Sequence, residues 1–286
     1  MDEKFLSEMD QQLTGWSDPV ARLKDALAKN EFALYCQPIA ALGGAGGTPI
    51  AEVLVRLREE EAAMLPPGEF LPIFEHYGMM PLLDRWVVRH VVRHLKGGSR
   101  IPGFSLNINS KTLEDAQFAA FTAAELKAAR VPPAAVLFEL DEQDVLGSQQ
   151  ACARFAREVK AAGCGVMIDG FGRQSVSFST LESVSPDFVK VDGSIIRKLL
   201  ASPQAQNKLT AVVRVGEAAG FGVVAECVEE QDILQKLKAL GVGFAQGFGI
   251  ARPQAIETTA AAKAAAPATA GVGNPGGKHG TQRGPG

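Results

Sequence analysis

The chain has 286 residues, room for one large domain or two small ones, and its 46% hydrophobic and 21% charged residues are ordinary for a soluble globular protein. A net charge of −3 lacks the clustered Lys and Arg that phosphate backbones and anionic membranes demand, so a general nucleic-acid or membrane-surface binder is excluded. No apolar run approaches the ~20 residues that span a bilayer, and the acidic start MDEKFLSEMD does not read as a secretory signal. Cys36, Cys152, Cys164 and Cys227 are widely spaced with no C-x-x-C pair. They read as reduced, mostly buried thiols of a cytoplasmic protein, with neither a disulfide framework nor a zinc site.

Three zones follow one another. Residues 1–30 form a helix-prone extension, with Leu23, Ala26 and Leu27 at helical spacing. Residues 31–254 form the body. Residues 255–286 read as a disordered tail, because from Thr259 onward almost no large apolar side chain is left to offset the entropy of ordering. A short Ala-rich helix near Ala260–Ala266 is the one element expected there.

The body alternates β-type runs with amphipathic stretches. Strands are predicted at Ala33–Ile39, Ile50–Leu57, Phe104–Asn109, Ala135–Leu140, Gly165–Asp169, Asp187–Val191, Gly222–Glu226 and Gly243–Gln246. Helical spacing marks Leu82–Leu95, Cys152–Ala162, Lys208–Ala219 and Gln231–Leu240, and Gly163, Gly220 and Gly241 stand where helix C-caps are expected. Eight strands with helical crossovers predict an α/β fold, a TIM-like (β/α)8 barrel. An open doubly wound sheet is the rival, and it would carry a glycine-rich loop between its first strand and a helix. The cluster Gly43, Gly44, Gly46, Gly47 leads instead into another strand, so it reads as a hairpin loop and the first strand as irregular and antiparallel.

Barrels carry their chemistry at the carboxyl ends of their strands. Here those ends hold Glu52, Asn107, Asn109, Glu139, Asp169, Lys190, Asp192, Glu226 and Gln246, with Glu229 close behind. One carboxylate in an apolar strand is readily explained as the structural partner of an arginine. Polar groups at the same end of seven strands are not, because several acids buried together need cations to neutralise them. Carboxylates with an amide oxygen suit Mg²⁺ or Mn²⁺ rather than zinc, and a lysine among them suits an anionic substrate. The pattern points to divalent-metal chemistry on a phosphate ester.

The same residues carry a resemblance. QPI at Gln37–Ile39, EVLVR at Glu52–Arg56, LPPGEFLP at Leu65–Pro72, LDRWVV at Leu83–Val88, SLNIN, FELDE, IDGFG at Ile168–Gly172, FVKVDGSII, AECVEE and AQGF stand in order at compatible spacing. Together they resemble the EAL domain, the bacterial family of cyclic di-GMP phosphodiesterases and receptors, from about Glu31 to Pro253. The resemblance implies Glu52, Asn107, Glu139 and Asp169 as metal ligands for Mg or Mn, with Ca binding without supporting hydrolysis. It implies Lys190 as the residue holding the attacking water and Glu226 as the ligand associated with a second metal. Glu142 would anchor the loop after Asp169, and Glu229 and Gln246 would be further active-site residues. Gln37, Arg56, Asp84 and Asp192 would lie at the ligand, Gln37 and Asp84 near a guanine and Arg56 near a phosphate, with Asp192 able to stand in for a missing acid.

Two departures matter. The namesake motif reads Glu-Val-Leu, with Val53 in place of Ala. The family's Asp-Asp-Phe-Gly-Thr-Gly reads Asp169-Gly170-Phe171-Gly172-Arg173-Gln174, without the second Asp. The resemblance therefore implies a degenerate receptor for cyclic di-GMP with weak or lost hydrolysis. The alternatives are an active phosphodiesterase producing pGpG, or an interaction protein that has lost the nucleotide. A protein effector partner and a homodimer are expected partners, and no nucleic-acid polymer or membrane. No metal spacing links His76, His90, His94 or His279 to the acids. His90 and His94 read as a solvated helix face, Phe171 as core packing, and Glu59–Glu61 as a solvated loop.

Overall fold

The structure is a computed structural model that describes Trp16 and residues 18–43, 49–58, 64–174 and 178–260. The hairpin loop predicted around Gly44–Gly47, the acidic run Glu59–Glu61, His279 and residues 261–286 lie outside the described residues.

The chain opens with helix α1 (Pro19–Ala28), capped by the Asp18 side chain on the Ala21 amide. Its apolar stripe is the one predicted: Leu23 and Ala26 are fully buried in the core shared with the barrel. Strands β1 (Phe32–Ala41) and β2 (Ile50–Arg58) form an antiparallel pair, and β2 also pairs with the short β3 (Met64–Leu65). Helices α2 (Pro67–His76) and α3 (Met80–Lys96) follow. Then strands and helices alternate: β4 (Gly103–Ile108), α4 (Ser110–Glu114), α5 (Phe118–Ala129), β5 (Val136–Asp141), α6 (Glu142–Gly147), α7 (Gln149–Ala161), β6 (Gly165–Phe171), α8 (Phe178–Val184), β7 (Phe188–Val191), α9 (Gly193–Ile196), α10 (Pro203–Ala219), β8 (Gly222–Ala225), α11 (Gln231–Ala239), β9 (Phe244–Ala245) and β10 (Gln254–Ala255).

Strands β2, β4, β5, β6, β7, β8 and β9 run parallel in that order. β1 closes the barrel by pairing antiparallel with both β2 and β9. The eight-stranded barrel and its antiparallel first strand are thus as expected, and each predicted strand is present within two residues of its predicted ends. Parallel strands covered on both faces read as near-continuous apolar runs, which is why VLF, GVMI and GVVA were visible. Gly163, Gly220 and Gly241 all take positive φ just past a helix, as C-caps do.

The inside of the barrel is built in layers. Its floor is an apolar plug of Ile39, Ile50, Leu137, Met167 and Val224, packed by Phe188 and Phe244. Glycines widen that floor: a Cβ at Gly222 would lie 2.6 Å from the Phe188 ring, and one at Gly165 2.9 Å from Leu137. Side chains alternate along a strand, so two residues farther on the same strands point inward again. Those positions are Glu52, Glu139, Asp169, Lys190, Glu226 and Gln246, with Gln37 two residues back along the reversed β1. The sequence places polarity one layer above an apolar floor.

Two expectations need correction. The tail does not begin at 255: Gln254–Ala255 pairs with β1, and Ile256 and Thr259 are buried in a following 3-10 turn. His90 and His94 are not a solvated face. The His90 ring stacks on Trp86 at 3.7 Å between centroids, and His94 Nε2 lies 2.9 Å from Thr259 Oγ1. The two-residue strands β3 and β10 were not predicted, since backbone pairing this short leaves no side-chain period to read.

Candidate functional site

At the carboxyl mouth of the barrel the Lys190 ammonium sits at the centre of three acids. It lies 3.0 Å from Glu52 and 3.3 Å from Asp169, and it also donates to Glu139. Lys190, Glu139 and Asp84 are buried, and Glu142 completely so. Asn107 donates to Glu52 at 2.9 Å and Gln246 donates to the other Glu52 oxygen at 2.7 Å. Gln246 is in turn 3.4 Å from Gln37, whose own amide donates to the Ala251 carbonyl.

Burial pushes the Glu52 carboxyl up, but Lys190 and the two amides outweigh it and hold this acid below its usual range. Burial works the same way on Glu139, and there the neighbouring charges of Glu52 and Asp169 add to it; against the opposing pull of Lys190 the carboxyl is pushed up to about 8. Burial opposes the charge on Lys190, and its three carboxylates overcome it, keeping the ammonium protonated. One lysine cannot offset three acids in a water-poor site, so the cluster retains negative charge.

Two oxygens of the cluster are left without a hydrogen bond. Glu139 Oε1 and Asp169 Oδ1 are buried without a hydrogen-bond partner, and only the latter has the lysine as an ion-pair partner. Orphaned buried carboxylate oxygens beside an amide suit a hard divalent cation, for which the donor set is all oxygen. Among the described residues no group of three His, Cys, Asp or Glu side chains is placed to hold a metal ion, and the Lys190 ammonium contacts all three acids of the cluster.

The remaining predicted site residues take distinct places. Glu226 accepts the Gly193 amide at 2.6 Å, and burial, then Asp169, push its carboxyl up. Glu229 is exposed on the rim of a cavity of about 150 Å³ that Gln37, Glu52, Glu226 and Gln246 also line. Asp192 caps α9 through the Ser194 amide. Asp84 accepts from Thr112 and the Asn109 amide and faces a second cavity of about 630 Å³, shared with Asn107, Glu75 and Asp141. Arg56 is not brought to the acids: its guanidinium lies over the Tyr35 ring, 5.8 Å from the centroid, and donates to the Val55 carbonyl. Phe171 is buried in the core, where packing was expected.

Sequence reading missed the part played by Arg173. Its guanidinium bridges Asp141 at 2.8 Å and Asp192 at 3.2 Å, and its Nε also donates to the Gly170 carbonyl. The only sequence signal was an arginine at a loop position next to a glycine.

Barrels of this topology carry their active sites at the carboxyl ends of their strands, and that is where this acid-rich, lysine-centred mouth lies. A family model described as the EAL domain matches residues 20–253, and the chain belongs to the EAL domain family. Cyclic di-GMP phosphodiesterase PdeB of Shewanella oneidensis is 28% identical over 238 residues, covering 82% of this chain and 28% of the relative. Cyclic di-GMP phosphodiesterase PdeF of Escherichia coli is 27% identical over 241 residues, covering 83% of this chain and 32% of the relative. The chain thus spans about a third or less of these two relatives' length. The FimX EAL domain of Pseudomonas aeruginosa, solved bound to c-di-GMP, superposes with a TM-score of 0.77 at 26% identity, over 83% of this chain and 96% of that one. Among the described residues no helix is long and apolar enough to cross a membrane.

Proposed function

We propose that this chain is a cyclic di-GMP receptor of the EAL family in which recognition of the nucleotide outlasts its hydrolysis. The observation that carries the reading is a mouth that keeps Glu52, Asn107, Glu139, Asp169, Lys190 and Glu226 but has glycine at 170, beside Asp169. The names of the relatives and the FimX complex supply the ligand class.

Glu52, Asn107, Glu139 and Asp169 would hold one Mg²⁺ or Mn²⁺, which the orphaned oxygens of Glu139 and Asp169 fit. Such an ion supplies Lewis-acid polarisation of a phosphodiester and makes water a better nucleophile. The chain's own residues do the rest. Lys190 offsets part of the acids' charge and offers a proton donor to water or phosphate. Gln246 and Asn107 fix Glu52 in orientation. Gln37, Asp84 and Glu229 border the space for the nucleotide, Arg56 would have to leave Tyr35 to reach a phosphate, and Glu142 holds the loop from 172 to 174. Losing one carboxylate from such a centre costs roughly 10²-fold or more in rate, as removal of other electrostatic stabilisers does. Binding contacts come from other strands and do not pass through Gly170.

Retention of Lys190 and Glu226 favours the second reading, an active metal-dependent phosphodiesterase that opens cyclic di-GMP to pGpG. Calorimetric titration of cyclic di-GMP in Ca²⁺ tests the shared part. Stoichiometric binding is expected, and no heat at micromolar protein would sink both readings. As a receptor the chain would pass its signal to a protein partner in the cytoplasm.

A further inference from the structure

Of six acids at the mouth, five divide into two groups. Around Lys190 stand Glu52, Glu139 and Asp169, with one buried oxygen wholly unpartnered. Around Arg173 stand Asp141 and Asp192, and there every oxygen is engaged. Asp141 Oδ1 accepts the Gln143 amide at 2.7 Å and Oδ2 the Arg173 guanidinium; Asp192 Oδ1 accepts the Ser194 amide at 2.8 Å and Oδ2 pairs with Arg173 Nε. The sixth acid, Glu226, spends one oxygen on the Gly193 amide.

Position 170 explains how the guanidinium gets there. A Cβ built on Gly170 would overlap the Arg173 guanidinium, and the backbone at 170 has φ +65°, which L side chains rarely adopt. A side chain at 170 and the arginine in this position exclude one another. The loop is clamped around it: Gly172 and Gln174 donate to Glu142, and Lys208 donates to the Gly172 carbonyl.

We propose that Arg173 is a tethered cation that takes the place of a second divalent ion, so that each barrel binds a single ion, at the Lys190 side of the mouth. This rests on the reading above that the mouth binds a divalent cation. The glycine and the arginine are then one device. Removing the side chain at 170 opens the space, and the guanidinium fills it with a positive charge that does not dissociate when free ions are scarce. A planar guanidinium also offers N–H donors to phosphate in fork geometry, which a bare ion cannot.

The test is a count of Mn²⁺ on the full chain without nucleotide, by calorimetry and by Mn²⁺ electron paramagnetic resonance. One ion per chain is expected for the natural sequence and for Arg173→Lys. Two ions, with the line broadening of a coupled pair, are expected for Gly170→Asp combined with Arg173→Thr. Circular dichroism and the melting temperature establish that each variant is folded. Two ions on the natural chain would overturn this inference while leaving the cation site itself standing. A folded double variant that still takes one ion would overturn it too. No bound Mn²⁺ on the natural chain would overturn the cation site and this inference with it.

Discussion

The Glu142 carboxylate accepts the backbone amide of Gly172 at 2.7 Å, tying the first turn of α6 to the turn that follows β6. Its second oxygen accepts the Gln174 amide at 2.8 Å, so Arg173 is held between two anchored neighbours. Glutamine at 142 can accept only one of the two amides and leaves the other opposite a donor. Glu142→Gln is expected to cost about 1–3 kcal/mol of local stability and to speed hydrogen exchange at the amides of residues 172 and 174 by roughly tenfold or more. Unchanged exchange would show that the loop does not depend on this carboxylate.

Lys190 is the cation that lets three carboxylates share one buried site. Lys190→Met removes it and strands those acids. Near pH 8 the variant is expected to lose roughly 3–5 kcal/mol in urea unfolding, as when one partner of a buried ion pair is deleted. The same variant should gain more in melting temperature from millimolar Mn²⁺ than the natural chain does, since the ion then supplies the only cation at that cluster. Equal gains would speak against an ion binding among these acids.

Asp84 sets a pH dependence. Burial pushes its carboxyl up to about 7, against the lowering effect of the Thr112 and Asn109 hydrogen bonds. In the unfolded chain it titrates near ~3.9. Between those values the folded chain binds the proton more tightly than the unfolded one, so this group's contribution to stability falls as pH rises from about 4 to about 7 and is level above that. Asp84→Asn removes the slope. Its stability relative to the natural chain is expected to rise by roughly 2–3 kcal/mol between pH 5 and pH 8. A difference that stays flat with pH would contradict the raised value.

Helix α1 is held by side chains rather than by length. Leu23 is fully buried beside Ala26, and Arg22 pairs with Glu31. Leu23→Ala is expected to cost about 2–5 kcal/mol in the global unfolding transition, as for other buried leucines. A loss below about 1 kcal/mol would show a helix that frays independently of the barrel.

Much of this was legible because the barrel repeats one rule. Leu137 to Glu139, Met167 to Asp169 and Val224 to Glu226 each step two residues from an apolar floor to a polar mouth, a period that a strand must obey and a sequence displays. Strand count then gave closure, and the hairpin between β1 and β2 gave the reversed first strand. What was hidden depended on contacts distant in sequence. Nothing local says that Arg56 lies over Tyr35, that His94 meets Thr259, or that residues 254–259 return to cover β1. Gly170 was visible as an absence, whereas the guanidinium filling its space was not, because that requires the path of the loop.

The most direct measurement is a turnover assay on protein already shown to bind cyclic di-GMP in Ca²⁺. The calcium is replaced by Mg²⁺ or Mn²⁺, and pGpG is followed by chromatography with protein in excess over nucleotide. A receptor predicts bound, intact cyclic di-GMP, with a conversion rate at least about a hundredfold below an ordinary enzymatic ~1 s⁻¹. Conversion at about 1 s⁻¹ or faster would contradict it and make the chain an enzyme that works without a carboxylate at position 170.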